Sequence, residues 1–175
     1  MAVPHGRSTW SLYGRWETHV VISPVLATAI SQRSGTSLCP ASPESVALLK
    51  ELGLTGSVVD FYGRYEPAEC AEIDDVRLWP IAEVVAENRD YVPGANLIGH
   101  GLIVVATTVF GDAYCIDSVE DGSPVVLMSH DVDYEGMHAS AIKSARKLIA
   151  PNFDAFLEMF VAGTLDLSPL DNSAR

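Results

Sequence analysis

Apolar residues recur along the chain in two rhythms. From Ser42 the rhythm is helical: Ser42 can cap, Pro43 suits a first turn, Val46, Leu48, Leu49 and Leu52 form a stripe, and Gly53 can close the helix in a left-handed conformation. Val58, Phe61, Tyr62 and Tyr65 repeat the spacing i, i+3, i+4, i+7, which predicts a second helix starting at Thr55 and ending before Pro67. Arg77-Leu78-Trp79 reads as a short strand. Pro80 opens a helix with Ile81, Val84 and Val85 on one side, broken by Tyr91-Val92-Pro93-Gly94. The rhythm then changes. Leu97 to Thr108, Ala113 to Asp117 and Pro124 to Ser129 are apolar runs separated by Phe110-Gly111-Asp112 and by Glu120-Asp121-Gly122-Ser123, whose Gly and Asp residues provide hairpin chemistry. An antiparallel meander follows from this pattern. After a loop from His130 to about Ala139, Arg146 to Ala150 reads as another strand. Phe153, Phe156, Leu157, Phe160 and Val161 then mark an amphipathic helix ending at Gly163.

The flanks are weaker. Residues 1–40 read as an N-terminal arm with room for one helix around Pro24 to Gln32, residues 41–164 as the folded domain, and residues 165–175 as a flexible tail. The 175 residues, 48% of them hydrophobic, suit one domain with a sizeable core. Val20 to Ile30 is the one stretch that could pass for a targeting signal, but Glu17 and Pro24 argue against it. No stretch approaches the roughly 18–20 apolar residues of a membrane span. Cys39, Cys70 and Cys115 are odd in number and lack CxxC spacing, so reduced thiols in the cytoplasm fit best.

Charge narrows the partners. Eleven Lys and Arg against 23 Asp and Glu leave a formal charge of -12. Such a field repels phosphate backbones and attracts basic surfaces, which excludes direct nucleic-acid binding and favours a cationic protein partner. No Lys or Arg occurs from Tyr91 to Ile142. Two acidic stretches stand out: Glu66, Glu69, Glu72, Asp74 and Asp75, read as one loop, and Asp131, Asp133 and Glu135, read as another. Each is a candidate partner face, and each is equally readable as a solubilising loop.

Candidate chemistry changes the picture little. His130-Asp131-Val132-Asp133-Tyr134-Glu135-Gly136-Met137-His138 gathers metal-ligand types without the spacing of a calcium loop or a zinc helix. Gly99-His100-Gly101 precedes an apolar strand where a phosphate cradle needs a helix. The two SxxK matches, at Ser140 and Ser144, lack companion motifs. Cys115 lies mid-strand as a small hydrophobe. No catalytic residues, no metal and no cofactor are therefore expected, and the chain is read as a non-enzyme. Phe110-Gly111-Asp112 is read as hairpin scaffold with Tyr114 and Ile116 on one face and Cys115 on the other, leaving Asp112 and Asp117 to line an exposed groove.

The order of motifs resembles the SUKH superfamily, which includes the yeast Smi/Knr-type regulator of cell-wall synthesis and many bacterial immunity proteins. "LLKELGLTGSVVDFYGRYEP" is similar to the family's helix, break and aromatic helix. "LWPIAEVVAENRDY" resembles its Leu-x-Pro-Leu segment, "VFGDAYCIDS" its Gly-Asp hairpin, and "LIAPNFDAFLEMFVAG" its closing helix, with Asn152 where Ser is commoner. The resemblance implies an α+β domain, helices packed on a mostly antiparallel sheet, acting by binding another protein. It further implies an antidote that binds and blocks a toxin domain, often a nuclease. A regulatory or assembly module of the cell-wall type, or a small metal-dependent or thiol enzyme, stands as the alternative.

Overall fold

The apolar runs on either side of Gly111 and of Asp121-Gly122 pair as the centre of a six-stranded sheet in a computed structural model that describes residues 24–167. The strands are β3 (Ala71–Ile73), β4 (Val76–Leu78), β5 (Leu102–Thr108), β6 (Ala113–Asp117), β7 (Val125–Met128) and β8 (Lys147–Ala150). They lie in sequence order with every neighbouring pair antiparallel. A separate ribbon pairs β1 (Leu38–Cys39) with β2 (Glu66–Pro67).

Every residue of β5, β6 and β7 is buried, because both faces of the sheet are covered. On one face Ile103, Tyr114, Ile116, Val125 and Leu127 join the main core, and on the other Val104, Cys115, Val126 and Met128 join a smaller one. Tyr114 and Cys115 thus part as strand alternation requires. A register shift between Val104 and Ala106 places both Val105 and Ala106 on the main-core side.

The main core is closed by α1 (Pro24–Ser34), α2 (Pro43–Glu51), α3 (Ser57–Tyr65), α4 (Ile81–Arg89) and α7 (Phe153–Ala162). The Ser42 hydroxyl accepts from the Ser45 N–H at 3.1 Å with Pro43 in the first turn of α2, and Asn152 Oδ1 caps α7 by accepting from Ala155 N–H at 2.9 Å. Gly163 ends α7 at φ 67°, a conformation costly for residues with a Cβ. Phe61 meets Phe153 edge-on with ring centroids 5.7 Å apart, joining α3 to α7. The smaller core is closed by Leu97 of α5 (Gly94–Leu97), by Val132 and Tyr134, and by Ile142 of α6 (Ala139–Ser144).

Several elements differ from the sequence expectation. The apolar run expected to form a strand from Leu97 begins as α5 and a 3₁₀ turn over Ile98–His100, and extends only from Leu102. Gly94 explains the turn: a Cβ there would lie 2.1 Å from the Glu87 carbonyl oxygen, so the chain doubles back tightly on α4. The second helix starts at Ser57 where Thr55 was expected, and Trp79 lies just past β4. The β1–β2 ribbon, β3 and α6 carry no usable periodicity, the first three through shortness and α6 because Ile142 is its sole fully buried residue.

The fold extends beyond both expected domain limits. Ile30 of α1 is fully buried, while Arg33 donates to the Val161 carbonyl and pairs with Asp74 at 2.6 Å. Past Gly163, Leu165 and Leu167 pack against the core and Asp166 pairs with Lys147 at 2.6 Å, so residues 165–167 do not behave as the expected flexible tail. The arm before Pro24, the start of the Val20 to Ile30 run, and the tail after Leu167 lie outside the described residues. Among the described residues no helix is long and apolar enough to cross a membrane.

Candidate functional site: an apolar and acidic face beside the central hairpin

The turn Phe110-Gly111-Asp112 is clipped to the start of the second acidic loop. Asp112 Oδ1 accepts from the His130 backbone N–H at 3.0 Å and lies 2.8 Å from His130 Nδ1. His130 Nε2 lies 3.2 Å from Asp131 Oδ1. Gly111 (φ 102°) is held close, since a Cβ there would meet His130 Cγ at 3.2 Å. With Asp112 engaged and its side chain only 13% exposed, it is a brace and not a groove carboxylate.

Alternation along the loop sorts its side chains. Val132 and Tyr134 turn inward, the tyrosine donating its hydroxyl hydrogen to the Ser129 carbonyl at 2.9 Å. Asp131, Asp133 and Glu135 turn outward, and Asp133 Oδ1 accepts from the Glu135 N–H at 3.0 Å. A cleft of about 260 Å³ runs between this loop and Val92, Pro93 and Asn96. Val92, in its lining, is 73% exposed, and Phe110, which precedes the Gly111 held against His130, is 66% exposed. The cation-free span from Tyr91 to Ile142 thus leaves Val92 and Phe110 exposed and turns three carboxylates outward.

The first acidic stretch is not one loop. Glu66 lies in β2 and its Oε1 accepts from Ile81 N–H at 3.0 Å at the start of α4, Glu72 lies in β3, and Asp74 and Asp75 form the β3–β4 turn. Two of its charges are matched: Glu72 pairs with Arg77 at 2.9 Å and Asp74 with Arg33. Arg77 is spent here because the β3–β4 hairpin, with strands of three residues, places it directly opposite Glu72. Glu69 stays exposed, beside Glu66, on a different groove from Glu72 and Asp74.

Asp117 lines a cleft of about 250 Å³ with His100, Lys143 and Arg146, yet its carboxylate is consumed. It pairs with Arg146 and accepts from the Val119 and Glu120 N–H groups at 3.2 and 3.1 Å, with 4% of its side chain exposed. Arg146 also binds Glu120 at 2.5 Å and holds that carboxyl below its usual range. The expected role of Asp117 on an exposed groove is therefore replaced by a buried ion pair that ties the end of β6 to the residue before β8. The sequence offered no signal for this pairing across 29 residues.

Burial pushes the Cys115 thiol far up, which disfavours the thiolate a nucleophile needs. Among the described residues no three His, Cys, Asp or Glu side chains gather as a metal-holding group; His138 instead precedes α6.

A family model described as the SMI1 / KNR4 family (SUKH-1) matches residues 46–159. Among curated proteins, none matches the chain. The family match runs from the stripe of α2 to the last turn of α7, and so takes in the sheet, the clipped hairpin and both acidic stretches. On that span the chain belongs to the SMI1 / KNR4 (SUKH-1) family.

Proposed function

We propose that the chain is a protein-binding module without catalysis of its own, an immunity protein that binds a basic toxin domain, of the nuclease kind, and neutralises it. The observation that carries this reading is that Val92 and Phe110 stand exposed while the loop bordering the Val92 cleft turns Asp131, Asp133 and Glu135 outward. Large apolar side chains left in water, together with outward carboxylates, have the composition of an interface: an anchor that is desolvated on binding, with charge around it. A nuclease grips phosphates with Lys and Arg, and an acidic face meets those same groups with long-range attraction that speeds association. Family membership supports binding over catalysis, and the formal charge of -12 supports a cationic partner.

The experiment is capture of the neighbouring gene's product by tagged chain at low and high salt, beside a growth assay in which that product is expressed alone and with the chain. Capture that weakens with salt, rescued growth, and loss of both on Asp131→Lys with Asp133→Lys are expected. Equal capture at both salts, or rescue untouched by the charge reversals, would overturn the assignment of this face. A captured partner that is harmless when expressed alone would replace the antidote reading with the regulatory one.

A further inference from the structure

The largest cleft among those described, about 590 Å³, lies where the β1–β2 ribbon meets the start of α4. Its walls are apolar or aromatic at Pro67, Trp79 and Pro80, and its polar rim is made of Glu66, Glu69 and Glu83, with no Lys or Arg in the lining. Glu66 spends one oxygen on Ile81 N–H, and Glu69 and Glu83 are exposed. Burial is the main reason the Cys70 proton is held; Arg77 opposes it, and Glu72, Glu83 and Glu69 add to it. Among the described residues the Trp79 indole N–H, shut from solvent, meets no acceptor. A buried donor in that state is disfavoured.

These needs are met together by one chemistry. Carboxylates around an aromatic wall suit a guanidinium, which is planar and weakly hydrated and lies well on a ring face. A trough with a short strand along its side suits a segment in extended form. We propose that this groove is a second docking site, which takes an extended, arginine-bearing segment of a partner protein. It shares no residue with the Phe110 face, and the inference stands whether or not the partner there is a toxin.

The groove carries its own reporters, Cys39, which is exposed, and Cys70, while Cys115 is fully buried and serves as the internal reference. The probe is a capped peptide of alternating glycine and arginine, with a control peptide carrying uncharged citrulline for arginine. Iodoacetamide labelling of the full chain is followed by mass spectrometry. The arginine peptide is expected to slow labelling of Cys39 and Cys70 several-fold and to shift the Trp79 indole proton resonance. The citrulline peptide is expected to do neither. Protection is expected to vanish in Glu69→Lys with Glu83→Lys, to weaken in Trp79→Phe, and to persist in Asp131→Lys with Asp133→Lys. Absent protection, equal protection by the citrulline peptide, or protection that survives the Glu69 and Glu83 reversals would overturn the proposal. Loss of protection in the Asp131 and Asp133 variant would show diffuse charge attraction in place of a groove, and would overturn it equally. The growth and capture assays on the Phe110 face are unaffected by any of these results.

Discussion

Asn88 stands where a strand is missing. The last bond from β4 to β5 runs from Trp79 N–H to the Val105 carbonyl at 3.4 Å, and continuing the register from Leu78 opposite Ala106 puts Pro80 opposite Val104. Proline has no N–H to give. Asn88, 1% exposed on α4, fills the place of the absent backbone: its Oδ1 accepts from Val104 N–H at 2.9 Å and its Nδ2 donates to the Val104 carbonyl at 2.8 Å. Replacing Asn88 with Leu strands both Val104 groups in a fully buried site. At about 1–3 kcal/mol for each orphaned group, the loss is about 4 kcal/mol, or about 8–16 °C in Tm for a chain of this size. That is a large part of a typical stability of about 5–15 kcal/mol.

Urea unfolding followed by circular dichroism and tryptophan fluorescence measures it. Asn88→Asp sharpens the test, since the carboxylate keeps the acceptor for Val104 N–H but faces the Val104 and Val84 carbonyls where Nδ2 donates now. Protonated, that oxygen can donate again. The Asp variant is therefore expected to regain stability relative to the parent as pH falls, whereas the Leu variant gains nothing. A Leu variant within about 0.5 kcal/mol of the parent, the range of an inconsequential surface change, would refute the reasoning.

Arg146→Ala leaves Asp117 buried without its cation, and removal of one member of such a pair costs about 3–5 kcal/mol, here toward the lower end because Glu120 and its share of the guanidinium face solvent. Asp117→Asn with Arg146→Met should recover part of the loss in the same urea assay. Burial raises the Glu87 carboxyl above its ordinary value of 4.5, so the folded state holds that proton more tightly than the unfolded chain and stability falls as pH rises from 4.5 through the folded value. Glu87→Gln is accordingly expected to melt higher than the parent at pH 7 and to converge with it below pH 4.5; an unchanged Tm at pH 7 refutes the burial account. Phe110→Ala removes an exposed ring, so Tm should stay within about 2 °C while partner capture falls at least tenfold if the ring is an anchor of the usual size.

The elements written in the sequence are those whose burial repeats at a regular interval. The stripe of α2, the aromatics of α3 and α7, and the three central strands each carry several inward residues at one spacing, so the rhythm survives local detail. The edges were less readable for physical reasons. Strands of two or three residues hold too few alternations, α6 has a single anchor, and the apolar run at Leu97 is compatible with either element until the close approach of Gly94 to Glu87 decides it. The site shows the same division. The outward acids Asp131, Asp133 and Glu135 could be named from charge alone, while the partition of the Glu66 to Asp75 stretch depended on Arg33 and Arg77 arriving from other elements. Phe110 and Val92 were read as turn and breaker; hydropathy along the chain does not reveal which apolar residue the fold leaves outside.

Val132 and Tyr134 act as two pegs driven into the smaller core at every second position, and the residues between them never touch it. Such a segment works as an interchangeable cassette. Residues 131, 133 and 135 can be rewritten freely, their cost in folding free energy close to that of ordinary surface changes, so long as the pegs and the His130 clip remain. A lineage pursued by a changing adversary could then alter its recognition code one letter at a time without refolding the scaffold, and a designer could transplant the cassette between relatives on the same terms.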